Sequence, residues 1–192
     1  MRNQVRPAVV SVLALTLLLG VAYPLAVTAV SQVIAPDAAN GSLVRVGGRV
    51  IGSRLIGQMF TRPEYLQGRP SAAGDGYDPT QSGGSNLGPM DPKLADRIRT
   101  SAARLGGDPR ALPVDAVTTS ASGLDPDISP AFARFQAPRI AAARHVGVDA
   151  VLAVINAGVE GRLAEVVGEP RVNVLAVNVA LDQRFGTVRP KS

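Results

Sequence analysis

The sequence predicts a single-pass membrane protein, with one N-terminal transmembrane α-helix followed by an α+β soluble domain that holds a small mixed sheet. Three observations carry this reading. No charged residue occurs between Arg6 and Asp37. Beyond that point the apolar runs are short, and strand-like alternation and helix-like spacing take turns between capping residues. The 192-residue chain also leaves, after the apolar segment, enough residues for one hydrophobic core and not two. The divisions are a cytoplasmic N-terminus at 1–7, a transmembrane helix at 8–34 and a soluble domain at 37–192.

A helix needs about 20 apolar residues to cross a bilayer core, so residues 8–34 cross with length left for tilt. The competing reading is a cleaved signal peptide. Arg2 and Arg6 supply a basic flank, and Val27-Thr28-Ala29 has the small residues of a cleavage site. A signal peptide's apolar core is usually about 7–15 residues, so a retained anchor is expected. Pro24 lies near the middle of the segment, beside Tyr23. A membrane proline is tolerated where neighbouring helices satisfy the carbonyl it frees. Thr16, Gly20 and Thr28 offer small residues for such packing, although an alanine-rich composition alone produces the same spacing. On the far flank Asp37 comes first, and no positive residue follows until Arg45. The near-flank bias places the N-terminus inside and the domain on the outer face. A wider window that includes Arg49 and Arg54 is nearly balanced.

The chain has no cysteine, which excludes disulfides, thiolate metal sites and cysteine nucleophiles. Its formal charge is +5, and Arg2 and Arg6 supply two of those positives. The remaining excess is too weak and scattered for a nucleic-acid footprint. Aromatics make up 4% of the chain, so the core must be built from Val, Leu, Ile and Ala.

Residues 42–58 read as a hairpin. Leu43-Val44-Arg45-Val46 alternates, Gly47-Gly48 supplies a two-residue turn, and Arg49-Val50-Ile51 returns. Leu55 and Ile56 extend the second strand or open a short helix. Residues 63–92 hold five prolines and six glycines, so they admit neither a long helix nor a central strand. Tyr65, Arg69, Tyr77, Asp78, Gln81, Asn86 and Leu87 are interleaved there, which predicts a docking loop rather than a bland linker. Asp91-Pro92 caps and starts a helix that Gly106-Gly107 ends. Residues 114–119 are a candidate strand. Ser129-Pro130 repeats the cap-and-proline device, and Pro138 restarts the helix toward His145. A further helix spans 149–157. Residues 172–181, Val-Asn-Val-Leu-Ala-Val-Asn-Val-Ala-Leu, read as a strand buried on both faces, with Asn173 and Asn178 in need of partners. The last ten residues are polar and read as frayed.

Constellations that carry chemistry are mostly absent. No lysine follows a G-x-x-x-x-G spacing, so there is no P-loop. Gly83-Gly84-Ser85-Asn86-Leu87 misses G-x-S-x-G at its last position. His145 is the only histidine and is best placed against a helix dipole. Asp125-Pro126-Asp127 reads as a cation site or, more simply, as a turn leading into the Ser129 cap. Glu160-Gly161-Arg162 and Glu169-Pro170-Arg171 read as salt-bridged corners or docking contacts. No residue is assigned to catalysis or to a metal. The string Gln81, Ser82, Gly83, Gly84, Ser85, Asn86 is the sharpest candidate. Its backbone amides can form an anion-binding nest, while a compact loop pressed onto a partner fits it better.

Several strings, in order, carry a resemblance. They are Gly52-Ser-Arg-Leu-Ile-Gly-Gln58, Gly68-Arg-Pro-Ser-Ala-Ala73, Tyr77 with Asp78, and Gln81-Ser-Gly-Gly-Ser-Asn-Leu-Gly-Pro89. Further on come Ser122-Gly-Leu-Asp-Pro-Asp-Ile-Ser-Pro130, Gly161-Arg162, Gly168-Glu-Pro-Arg-Val-Asn-Val-Leu175 and Asn178-Val-Ala-Leu-Asp182. With the N-terminal helix, they resemble the KdpC family, the C subunits of the Kdp potassium-transporting ATPase. Two departures are Asp127, where the family carries His, and Ile155-Asn-Ala-Gly-Val159, where it carries a polar His-Thr pair. The resemblance implies a non-catalytic accessory subunit of a high-affinity ATP-driven K⁺ uptake complex in the cell inner membrane. Its implied partners are a K⁺-channel-like subunit, a P-type ATPase subunit and a small accessory membrane peptide. ATP hydrolysis resides in the partner ATPase subunit, and no cofactor is bound tightly. Docking is then expected of Arg69, Tyr77, Asp78, Gly83, Gly84, Asn86, Asp125, Glu160, Arg162 and Arg171. The alternative is a catalytic chaperone that binds ATP directly through residues 81–86.

Overall fold

A computed structural model describes residues 2–106, 110–162 and 166–187. The chain forms two compact units, residues 1–44 and 45–192, and the boundary falls inside the first strand.

In the first unit, α1 (Arg2–Leu17) runs through a π-helical turn at Leu18–Ala22 into α2 (Tyr23–Ile34). Pro24 explains the π turn. It has no N–H, and in an α-helix its ring collides with the carbonyl four residues back, at Gly20. The helix takes up one extra residue ahead of the proline, so the Tyr23 N–H donates to the Leu18 carbonyl, five residues back. Asn3–Ile34 is long and apolar enough to cross a membrane, and none of its most apolar window is buried within the chain. A short helix, α3 (Pro36–Ala39), follows. Asn40 ties it down by donating to the Pro36 carbonyl at 2.7 Å and exchanging amide hydrogen bonds with Gln32.

The second unit opens on the expected hairpin. Strands β1 (Leu43–Val46) and β2 (Arg49–Ser53) flank Gly47-Gly48, whose φ angles of 56° and 80° are those a tight hairpin turn requires. Leu55 and Ile56 neither extend β2 nor open a helix. From residue 54 to residue 91 the only regular element is a 3₁₀ turn at Pro79–Gln81. The helix α4 (Pro92–Leu105) begins where Asp91 accepts from the Lys93 N–H, and it ends on Gly106 in the left-handed region. Gly107, the second glycine of the expected stop, lies outside the described residues.

Two expected strands are helical, and one physical reason covers both. Residues 114–119 contain α5 (Val114–Val117), which buries Ala116 and Val117. Its Asp115 accepts from the Ser129 N–H and hydroxyl at 2.6 and 2.9 Å. In 172–181 only the start is extended, as β5 (Arg171–Asn173). Asn173 then caps α9 (Val174–Phe185) by accepting from the Ala176 N–H. The buried residues of α9 are Val174, Leu175, Val177, Asn178 and Leu181, a helical spacing hidden inside a near-continuous apolar run. Tertiary burial overrides the β-propensity of valine at both sites.

The Ser129 cap and Pro138 act as expected, giving α6 (Pro130–Phe135) and α7 (Ala137–Arg144). His145 closes α7 at φ 55°. Helix α8 spans Val148–Ala157. The small sheet has the order β3 (Asp127–Ile128), β5, β4 (Val159–Glu160). Both of its pairings are antiparallel, so the sheet is not the mixed one expected, and Val172 faces Ile128 on one side and Val159 on the other. Ile140, Val151, Ile155, Val172, Val177 and Leu181 are fully buried in the core, and Leu66 joins them from the Gly/Pro-rich segment. The frayed end expected for the last ten residues lies partly outside the described chain, and α9 holds its first three residues in a helix.

Candidate functional site

Residues 63–92 are wired onto the domain rather than draped over it. The Tyr77 ring lies where a Cβ on Gly57 or on Gly68 would collide with it, so both glycines are required for close approach. The Tyr77 hydroxyl donates to the Arg69 carbonyl at 2.7 Å. Burial, and next the charge of Asp125, pushes this phenol up to about 12, so Tyr77 serves as a neutral donor and not as a base. The Arg69 guanidinium pairs with Asp125 at 3.1 Å and reaches the Thr118 hydroxyl and the Thr119 carbonyl. Ser71 Oγ donates to the Gly123 carbonyl at 2.7 Å and accepts from the N–H groups of Ala73 and Tyr77. Gly123, at φ 66°, leaves no room for a Cβ beside Ala73. Arg69, Tyr77 and Asp125 therefore form one clasp between the loop and residues 118–125.

The string 78–86 continues from the clasp. Asp78 accepts from the Thr80 N–H, the Thr80 hydroxyl and the Gln81 amide, and these hydrogen bonds hold its carboxyl below the usual range. The Gln81 N–H donates to the Asp78 carbonyl, and the Gly83 N–H to the Ser122 carbonyl at 2.8 Å. Two amides of the alternative reading, an anion-binding nest, are thus engaged internally. A Cβ on Gly84 would press on Ala121, whereas one on Gly83 would meet open space. Asn86 is exposed at φ 52°.

A second cluster forms on the sheet. Glu160 accepts from Arg171 at 3.1 Å and from Arg54 at 3.0 Å. Arg171 also faces Asp127 at 3.3 Å. Arg162 pairs with Glu169 at 3.3 Å, away from this cluster. The two corners read in the sequence are therefore crossed: each carboxylate takes the other corner's arginine. Asp127 accepts from Asn173 at 2.9 Å, and burial raises its carboxyl above the usual range. Asp125 accepts from the Asp127 N–H at 3.0 Å, so Asp-Pro-Asp is a turn whose two carboxylates take separate partners. No group of three or more His, Cys, Asp or Glu suited to a metal occurs among the described residues.

Sequence reasoning missed a third constellation. Arg144 donates to the carbonyls of Glu64, Leu181 and Gly186, and to Asp182 at 2.7 Å. Its guanidinium also sits over the Tyr65 ring, and the Tyr65 hydroxyl donates to the other oxygen of Asp182 at 2.9 Å. Nearby, Asn178 accepts from the Leu66 N–H at 2.7 Å and donates to its carbonyl at 2.9 Å. The available signal was Arg144 following Ile140 by four residues, on the face of α7 that enters the core.

The family model described as KdpC: K⁺-transporting ATPase, c chain, matches residues 5–183. The potassium-transporting ATPase KdpC subunit of Caulobacter vibrioides (strain NA1000 / CB15N) is 57% identical over 188 residues, covering 96% of this chain and 95% of the relative. The corresponding subunit of Beijerinckia indica subsp. indica is 51% identical over 194 residues, covering 99% and 98%. That of Myxococcus xanthus is 56% identical over 174 residues, covering 88% and 82%.

Proposed function

The chain belongs to the KdpC family and is a subunit of a K⁺-transporting ATPase; from this premise we propose that it is a non-catalytic accessory subunit that docks on the channel-like and P-type ATPase subunits. Its helix crosses the inner membrane with the N-terminus inside, and residues 45–192 lie on the outer face. ATP hydrolysis belongs to the partner ATPase subunit. From the outer face, this chain influences ATP affinity only by coupling through the partners it touches, and that coupling is reciprocal.

One observation carries the reading. The polar side chains of the clasp, Arg69, Ser71, Tyr77 and Asp125, all hold backbone or each other. Such groups fix a surface shape and are not available as nucleophile or base. The competing reading, direct nucleotide contact through residues 81–86, is less well supported because the Gln81 and Gly83 amides are engaged internally.

Gly83→Val tests the docking. Its Cβ meets nothing within 4 Å, so the fold should tolerate it, with the melting temperature moving by about 2 °C or less. Recovery of partner subunits with the tagged chain should fall. Unchanged recovery and unchanged K⁺ uptake would remove residues 81–86 from the docking surface.

A further inference from the structure

A groove of about 830 Å³ runs between α4 and the clasp, within the size range of ligand sites. Its α4 wall carries Lys93, Arg97 and Arg104. At about 100° per residue these three fall within about 40° of arc, along roughly 16 Å of helix. Each is exposed, and none of the three side chains has an ion-pair or hydrogen-bond partner among the described residues. Arg99, on another face of the same helix, is by contrast paired with Asp96 at 2.7 Å. Leu94 and Phe60 supply apolar lining beside the cationic stripe. Asp75 stands among the lining residues as an exposed carboxylate, also without a described partner.

We infer that this groove binds an extended acidic segment of another polypeptide, whose carboxylates pair with the Lys93–Arg97–Arg104 stripe. Like charges one turn apart repel one another, and a line of carboxylates relieves that repulsion. An extended chain places same-face side chains about 6.6 Å apart, close to the roughly 6 Å rise from Lys93 to Arg97. Its alternate side chains meet the apolar lining. A compact polyphosphate fits less well, because it concentrates charge at one point and confronts Asp75 and Asp96. A peptide instead brings backbone N–H groups to Asp75.

The test uses the full chain in detergent and a fluorescein-labelled heptapeptide, Glu-Val-Glu-Val-Glu-Val-Glu, read by fluorescence anisotropy. Saturable binding is expected, weakening as salt is raised. The peptide with Gln in place of Glu should bind at least about tenfold more weakly, and Arg97→Glu with Arg104→Glu should lower affinity for the acidic peptide by about tenfold or more. Arg99→Glu alters the charge of the same helix outside the stripe and should leave binding within about twofold. Thermal melts of the variants keep a folding defect distinct from a binding defect. The inference is overturned by absent binding, by equal binding of the two peptides, or by indifference to the double reversal in a folded protein. Displacement of the peptide by equimolar inorganic triphosphate would overturn it in favour of a polyphosphate site.

Discussion

Arg144 and Arg171 each face a carboxylate at similar distance, Asp182 at 2.7 Å and Glu160 at 3.1 Å, in very different surroundings. The Arg144 side chain is 1% exposed and that of Arg171 is 59% exposed. Arg144 also serves three backbone carbonyls, from the loop, from α9 and from the residue after it. Arg171 shares Glu160 with Arg54 and lies beside the half-buried Asp127, while both arginines are exposed. Similar contact chemistry thus gives two kinds of region. The buried one locks the Gly/Pro-rich segment to the last helix. The exposed one is a set of exchangeable charges that a partner can re-pair at little cost.

The largest expected effect lies on the buried side. Arg144→Met leaves Asp182 with only the Tyr65 hydroxyl and no charged partner, and takes a donor from three carbonyls; removing one member of a buried pair costs about 3–5 kcal/mol. At about 2–4 °C per kcal/mol, the melting temperature should fall by roughly 10 °C. A loss under about 1 kcal/mol would erase the distinction between the two regions.

Tyr77→Phe is expected to be intermediate. It removes the hydrogen bond to the Arg69 carbonyl and leaves that acceptor short of a donor, at about 1–2 kcal/mol. It also carries a pH signature. The folded phenol is raised from 10.0 to about 12, so between those values the native state holds a proton that the unfolded chain has lost. The stability this provides is fully present below about pH 10 and is lost as the pH rises toward 12. The difference in stability between the wild type and Tyr77→Phe should shrink over that window. A difference independent of pH would mean that Tyr77 is not buried as described.

The smallest effect on stability belongs to Glu160→Gln. Its partners are exposed, so the change should stay within about 1 kcal/mol. If the surface cluster docks, recovery of partner subunits should fall out of proportion to that change. A large loss of stability with normal recovery would make the cluster a structural lock like that of Arg144.

The same contrast explains what the sequence made legible. Signals that act within a few residues were readable: the charge-free helix, the Gly47-Gly48 turn, and the Asp91 and Ser129 caps. The clasp was half readable, since Arg69, Tyr77 and Asp125 all stood out while their mutual contact spans 56 residues of sequence. Arg144 and Asp182 were not singled out, because an arginine at a core position declares itself only when its distant partners are known. Residues 174–181 read as strand because valine favours strands, and only packing in the core that holds Leu66 and Val172 makes them helical.

The side of the membrane on which residues 45–192 lie bears most directly on the proposed role. The chain has no cysteine, so Ala142→Cys places one thiol at an exposed position of α7 on a clean background. A membrane-impermeant maleimide should label it in cells whose inner membrane is intact, because Arg2 and Arg6 precede the helix and Asp37 follows it. Labelling there agrees with the proposed role, in which any influence on ATP affinity passes through the partner subunits. Labelling only after the inner membrane is breached would contradict the account and return residues 81–86 to direct contact with nucleotide.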